Sequence, residues 1–420
     1  MLRSSKAKEG SRISVKTDNA EYEGIMMPHH DFSDPDVIVL KLKSGYNIGI
    51  EIDKSSKIKV ISEPPEQKRS EKPVETKKGL PNLVLIGTGG TIASYVDYRT
   101  GAVHPAMAAS DMVNAVPEIR EIANITANVL FSIFSENMNT EHWQELAKAV
   151  EKAINDGADG VIIPHGTDTM GYTAAALSFM LQDVSVPVVL VGAQRSSDRP
   201  SSDAYSNLIA AARFCSKGCA GVFVIMHENL NDNSFAVHTG SRVRKMHTSR
   251  RDAFKSLNTG PFATIDEKGN VSPDLKKAVK GKVKAKTKLE NNVVLLQYFP
   301  GMNAEVFKGI FMNSKGVVIA GSGLGHVNSS MIPMIKESVS KGAVVVMTSQ
   351  CLNGSTNMNV YNTGRDLIEA GVISVNDMLP ETAYVKLMWA LANNKSSEEA
   401  KKIMVTALAG EMGTRRDVDE

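Results

Sequence analysis

A chain of 420 residues is long enough for two or three domains that each bury a core, and 42% hydrophobic with 22% charged residues is the make-up of a soluble globular protein. No apolar stretch approaches the roughly 20 residues a bilayer span needs. Residues 1–20 lack the apolar centre of a secretory signal and three cysteines cannot form a fully paired framework, so a reducing cytoplasm and no membrane role are expected. A net charge of +2 gives no case for nucleic-acid binding from bulk electrostatics.

Five short β-branched runs open the chain: Arg12 to Thr17, Tyr22 to Met27, Val37 to Leu42, Tyr46 to Glu51 and Lys57 to Ile61. Turn-rich segments such as Asp18-Asn19 and Ser44-Gly45 separate them, which predicts a small β-barrel over residues 1–61. Ten Lys/Arg against nine Asp/Glu in that span suit a protein-docking module better than an RNA-binding one. His29-His30-Asp31 has no further ligand at metal spacing and reads as a solvated loop. Residues 62–81 place Pro64, Pro65, Pro73 and Pro81 among alternating acids and bases, with only Val74 and Leu80 as sizeable apolar side chains, and read as a linker.

From Leu83 the pattern becomes repeated βα. Leu83 to Ile86, Val129 to Phe134, Val161 to Ile163, Val186 to Val191 and Val222 to Met226 read as strands, the last four as buried parallel ones. Trp143, Leu146, Val150 and Ile154 fall on one face of a helix that Thr140 caps and Gly157 ends. A second set begins after residue 290, at Val293 to Tyr298, Val317 to Ala320 and Ala343 to Thr348. The predicted fold is therefore α/β: the barrel, then an α/β domain over 82–285 carrying most of the site, then a second over 286–420, both with parallel sheets.

Two of the strand ends carry threonines, where open α/β sheets place their ligand crevices. One loop is Gly87-Thr88-Gly89-Gly90-Thr91-Ile92 and the other is His165-Gly166-Thr167-Asp168-Thr169-Met170. The first lacks the third spaced glycine of a dinucleotide site and the lysine of a phosphate loop, so a nucleotide reading is weak. A tight strand-to-helix turn with capping threonines accounts for its glycines but leaves the second loop unexplained. A threonine hydroxyl needs a base or a charged neighbour to become a nucleophile. Arg242, Arg244 and Lys245 follow the long loop 228–240, and of these only lysine readily changes protonation state.

Thr88-Gly89-Gly90-Thr91-Ile92, His165-Gly166-Thr167-Asp168-Thr169-Met170 and the lysine of Arg244-Lys245 resemble three signatures of the L-asparaginase/glutaminase amidohydrolases. The likeness covers about 83–410, including Tyr298-Phe299-Pro300-Gly301-Met302 and the turn Gly321-Ser322-Gly323-Leu324-Gly325. With the barrel, Lys41 to Gly49 included, and the linker added, the chain resembles more narrowly the ammonia-supplying subunits of archaeal glutamyl-tRNA(Gln) amidotransferases.

The resemblance implies amide hydrolysis through an acyl-enzyme, with Thr91 as nucleophile, Tyr98 as a lid tyrosine in the flexible-looking loop Tyr95 to Gly101, and Thr167, Asp168 and Lys245 as a second constellation. Ser135 and Glu136 fall where the family binds the substrate's α-carboxylate and α-amino groups, with Gly90 and Gly166 lining the same site. Asparaginases usually borrow an acid from a neighbouring subunit for the α-ammonium, yet Cys351 to Val360, the corresponding loop, contains none, so glutamine and asparagine both stay open as amide donor. The resemblance further implies a homodimer within a heterotetramer. The partner is a tRNA-binding subunit, the E subunit of such complexes, which uses ATP and Mg and meets Glu-tRNA(Gln); no cofactor or metal is expected in this chain. A free-standing asparaginase with an accessory barrel, and a non-catalytic RNA-binding scaffold, are the rival readings.

Lys280, Lys282, Lys284, Lys286 and Lys288 alternate at period two, which predicts an extended strand with one positive face. Guarding an exposed sheet edge is favoured over meeting phosphates. Cys215 and Cys219 are expected on one helix face as small buried hydrophobes, the twenty methionines as core fillers, and His227 and His238 as loop-orienting residues.

Overall fold

A computed structural model describes residues 7, 11–27, 34, 36–42, 47–53, 55–63, 76–89, 94–97, 102–105, 116–196 and 202–413. The five N-terminal strands, β1 (Arg12–Lys16), β2 (Glu21–Met26), β3 (Val37–Lys41), β4 (Asn47–Glu51) and β5 (Lys57–Ser62), form an antiparallel sheet ordered β4-β3-β2-β1-β5. Ile13, Val15, Met26, Ile38, Leu40, Ile50 and Ile52 build its own apolar core. Among the described residues β4 and β5 remain its edges, so no hydrogen-bonded closure into a barrel is seen. His29-His30-Asp31 and most of the proline-rich segment lie outside the described residues.

The next body is an eight-stranded sheet. Its parallel half comprises β6 (Asn82–Gly89), β9 (Asn124–Ile133), β10 (Gly160–Pro164), β11 (Pro187–Val191) and β12 (Gly221–His227), in the order β9-β6-β10-β11-β12. Between β6 and β9 the chain forms a hairpin of β7 (Ser94–Asp97) and β8 (Ala102–Pro105), so Tyr95 to Asp97 is strand rather than loop. Beyond β12 the sheet turns antiparallel through β13 (Ser234–Thr239), β16 (Ala263–Asp266) and β17 (Val271–Ser272), an extension the parallel-sheet expectation missed. A separate short pair, β14 (Val243–Lys245) and β15 (Phe254–Ser256), carries the candidate lysine.

Period-two alternation explains why both faces are covered. Val161, Ile163, Val188, Leu190, Val224 and Met226 face one core, with α1 (Thr140–Asn155) and α2 (Met170–Met180). Ile162, Val189, Val191, Phe223 and Ile225 face the other, with α3 (Ala204–Lys217). One expectation fails at β9: it is the sheet's edge, with Val129 51% exposed, and not a buried strand. The cap of α1 is Asn139, not Thr140; its side chain accepts from the His142 N–H, and its own N–H donates to His142 Nδ1. Cys215 is buried at the end of α3 while Cys219 lies past its left-handed Gly218, so the two do not share a helix face. His227 and His238 are buried in β12 and β13, and His227 Nε2 meets Asp232 Oδ1 of the loop between these strands at 2.8 Å.

The last body is a parallel sheet of β18 (Val293–Gln297), β19 (Gly316–Gly321), β20 (Val344–Ser349) and β21 (Ile373–Ser374). Around it lie α4 (Ala304–Asn313), α5 (Ile332–Ser340), α6 (Asn362–Glu369), α7 (Pro380–Asn393) and α8 (Ser397–Met404). Val318, Val344 and Val346 of this sheet join the same core as α2, bridged by Leu387, Met388 and Trp389 of α7. The lysine-rich segment between the two sheets forms no strand; residues 273–292 cross the surface without a strand partner.

Candidate active site

Along the chain β6 is followed in its sheet by the neighbour on one flank, β9, and β10 by the neighbour on the other, β11. The order reverses there, and the carboxyl ends of strands at such a reversal are where open α/β sheets place their ligand crevices. Both threonine loops leave from this point. Gly89 has φ +101°, and a Cβ on it would collide with the Ile133 backbone, so glycine is what lets β6 lie against β9. The Thr88 hydroxyl is buried and donates to the Pro164 carbonyl at 2.8 Å, tying one loop to the strand that feeds the other.

Thr167 is buried, whereas the Asp168 side chain beside it is 70% exposed. Lys245, its side chain only 13% exposed, reaches both from β14. Its ammonium donates to Thr167 Oγ1 at 2.8 Å and to Asp168 Oδ1 at 2.7 Å. Residues 77 and 78 positions apart in sequence thus converge on one point. Ser135 sits in a turn of 3-10 helix after β9 and is buried; Glu136 on the same turn is exposed. The Thr169 hydroxyl donates to the Ser135 carbonyl at 2.8 Å, and a Cβ on Gly166 would lie 2.6 Å from Ser135 Cβ. The structure therefore gathers Ser135, Gly166, Thr167, Asp168 and Lys245. Gly90, Thr91 and Tyr98 lie outside the described residues.

Three supporting features were not visible in the sequence. Gly192, just past β11, has no room for a side chain: a Cβ there would be 2.7 Å from Thr167 Cγ2 and 3.0 Å from the His165 carbonyl. The only available signal was a glycine directly after an apolar run, as at Gly87. Second, a buried relay stands behind the loop. Trp143 Nε1 donates to Thr173 Oγ1 at 2.9 Å, Thr173 donates to His165 Nε2 at 2.9 Å, and His165 Nδ1 donates to the Gly166 carbonyl at 2.7 Å. Because a carbonyl only accepts, His165 carries its proton on Nδ1, and burial pushes its pKa down to about 4, which keeps it neutral. Third, the C-terminal lobe holds the segment that carries Lys245. Ser241 Oγ donates to the Ala409 carbonyl at 2.7 Å, Arg242 pairs with Asp377 at 2.8 Å and donates to the Gly410 carbonyl, and Arg244 pairs with Glu381 at 3.2 Å. Arg242 and Arg244 are thereby committed to structure, leaving Lys245 as the cation directed at the hydroxyl.

A buried hydroxyl in contact with an ammonium that also holds a carboxylate suits acyl transfer: the ammonium can move a proton and stabilise developing negative charge. The family model for the N-terminal asparaginase domain matches residues 82–277, that for the glutaminase/asparaginase C-terminal domain residues 292–404, and that for the GatD N-terminal domain residues 7–61. The D subunit of glutamyl-tRNA(Gln) amidotransferase from Pyrococcus furiosus is 53% identical over 406 residues, 94% of this chain and 92% of that one. The protein of the same name from Methanothermobacter thermautotrophicus is 45% identical over 422 residues, 99% and 97% of the two chains. Among solved structures, the thermostable L-asparaginase from Thermococcus kodakarensis matches with a TM-score of 0.73 at 33% identity, covering 80% of this chain and 100% of that one. L-asparaginase I from Vibrio cholerae matches with a TM-score of 0.70 at 29% identity, covering 80% and 99%.

Proposed function

Since the chain belongs to the family of glutamyl-tRNA(Gln) amidotransferase D subunits, on an asparaginase-type body, we propose that it is the amidase subunit of a tRNA-dependent amidotransferase. It releases ammonia from the side-chain amide of glutamine or asparagine for conversion of Glu-tRNA(Gln) to Gln-tRNA(Gln). The observation that carries this reading is the Lys245 ammonium bridging Thr167 Oγ1 and Asp168 Oδ1.

In the proposed reaction the hydroxyl of Thr91 adds to the amide carbon. The C–N bond then breaks, the nitrogen takes a proton and leaves as ammonia, and water cleaves the threonyl ester to give the free acid. Thr167, Asp168 and Lys245 manage the protons, with the Lys245 charge holding the Thr167 oxygen and the Asp168 carboxylate in register. Tyr98 serves as the lid tyrosine and helps polarise Thr91. Ser135 and Glu136 hold the α-carboxylate and α-ammonium, and Gly90 and Gly166 give the carboxamide room. The partner subunit binds tRNA and uses ATP and Mg to activate the glutamyl carboxylate, in an assembly built on a dimer of this chain.

Thr167→Val or Thr91→Val in the complete complex abolishes glutamine-dependent amidation, while amidation supplied with free ammonium salt survives. Loss of both activities in a folded complex would show that the threonines do more than supply ammonia. Full ammonia release by this chain alone, unchanged by partner and tRNA, would favour a free-standing asparaginase.

A further inference from the structure

The lysine-rich segment is extended, but nothing about it resembles a sheet edge. Val283 is buried and Ala285, Thr287 and Leu289 are half-buried, whereas Lys280, Lys282, Lys284, Lys286 and Lys288 line the outward side. The backbone is pinned from inside by side chains and helix ends. Val283 N–H donates to Asn155 Oδ1 at 3.0 Å, Lys286 N–H to the Met180 carbonyl at 2.9 Å, Trp389 Nε1 to the Lys286 carbonyl at 2.9 Å, and Asn393 Nδ2 to the Lys288 carbonyl at 2.8 Å. With no strand beside it there is no ladder to protect, so edge guarding does not explain the lysines. A plain solvated face does not either, because any polar residue would serve there. Between Asp274 and Glu290 there are seven lysines, Lys276 and Lys277 included, and no acid.

Two of these lysines have structural duties at the end of α1: Lys280 pairs with Asp159 at 2.6 Å, and Lys282 donates to the Asn155 carbonyl at 2.6 Å. Lys286 stands 5.9 Å from the centre of the Trp389 ring. Lys276, Lys284 and Lys288 have no side-chain hydrogen bond or ion pair among the described residues. Of the acids beside it, Glu290 pairs with Lys315 at 2.7 Å and Asp156 with Lys152 at 2.6 Å. The result is a fixed row of positive charge, its alternate residues about 6.5 Å apart for an extended chain, comparable to the step between successive phosphates of a nucleic-acid strand.

We propose that the strap over residues 276–288 is a docking surface for an RNA phosphate backbone. The choice of RNA rests on the tRNA-dependent reading above; the row of charge does not. An acidic protein surface fits less well, since protein interfaces are depleted in lysine and enriched in aromatic side chains, and the strap has no aromatic residue. Its position sets its role. It lies against the C-terminal ends of α1 and α2, at the end of the sheet opposite the threonine crevice, so it anchors the body of an RNA and does not present a reacting end.

The test is binding of unfractionated tRNA to the full-length chain over a series of salt concentrations. Lys276, Lys284 and Lys288 changed together to Gln should weaken binding about tenfold at low salt and lower the slope of log affinity against log salt by about 2. The same three changed to Arg should keep both, and ammonia release should be unaltered in either variant. Unchanged affinity and slope in the Gln variant overturns the proposal. So does a Gln variant that binds tRNA normally but loses its partner subunit without RNA present, which would make the strap a protein interface. A chain that releases no ammonia in any mixture yet shows the altered slope would sink the amidase reading and leave the strap standing.

Discussion

The hydroxyl of Thr167 meets the Lys245 ammonium, and the loop that carries it packs against the Ser135 turn through Gly166; each contact predicts a separate failure. The Lys245 ammonium meets it at 2.8 Å, so Lys245→Met should lower kcat by about a thousandfold with the fold intact, read as ammonia release beside an unchanged far-ultraviolet spectrum. Gly166 sits where a methyl group would stand 2.6 Å from Ser135 Cβ and 2.9 Å from its Oγ. Gly166→Ala must push apart the loop and the turn, and a displacement near 1 Å costs on the order of a hundredfold in rate. The expected result is a large fall in kcat/KM with little change in melting temperature; unaltered kinetics would mean the turn yields freely. Both threonine loops were legible in the sequence because a strand end followed by glycine and threonine is a local pattern. The Trp143–Thr173–His165 relay was not, since its members belong to different elements and only folding brings them together.

Strands and helices repeat that lesson. Runs such as Val186 to Val191 show as strands because burial on both faces demands unbroken apolar sequence, but Val129 to Phe134 reads the same way and is an edge. The number of neighbours a strand has is not written in its own residues. The start of α1 was read one residue late for a related reason: Thr140 is a good cap by type, but His142 reaching back to Asn139 makes Asn139 the cap. The lysine alternation predicted an extended strand with outward charges guarding a sheet edge; the segment is extended with its lysines outward but forms no strand, because side chains and helix ends take up its backbone groups. The most consequential contact between elements is the fully buried pair of Lys386 on α7 and Glu411, 2.5 Å apart. Lys386 also donates to the Thr406 carbonyl at 2.6 Å, and Glu411 accepts from the Leu408 and Ala409 N–H groups, which sets the turn that Ser241 and Arg242 grip. Lys386→Met leaves a buried carboxylate without its cation and should cost about 3–5 kcal/mol in denaturant unfolding. Adding Glu411→Leu should recover part of that loss; no recovery would place the cost in the turn and not in the unpaired charge.

At the scale of the whole molecule, buried imidazoles make stability depend on acid. Burial pushes His165 down to about 4 and His238 to about 3, against about 6.5 in an unfolded chain. Below pH 6.5 the unfolded chain binds protons that the native one refuses, so stability is full above 6.5 and drains away as pH falls toward 4. His165 alone accounts for about 3 kcal/mol across that window, and urea unfolding of His165→Gln should show a shallower fall between pH 6.5 and 4 than the unaltered chain. How the chain divides when it does unfold follows from its cores. Val318, Val344 and Val346 share a core with Val161 and Val188 through α2 and α7, so the two α/β bodies, each with a further core of its own, are joined through a common interior. The N-terminal sheet has a core made wholly of its own residues, small enough to be marginal. Scanning calorimetry should therefore show two transitions, one for residues 82–413 as a unit and a smaller one for the N-terminal sheet. Removing residues 1–75 should erase the smaller transition and leave the larger within about 2 °C, since a change of that size corresponds to only about 1–1.5 kcal/mol in a body this large. If the body instead split into two peaks near residue 285, the shared core would not be holding the lobes together, and the grip of the C-terminal lobe on the Lys245 segment would have to be weaker than Ser241, Arg242 and Arg244 imply.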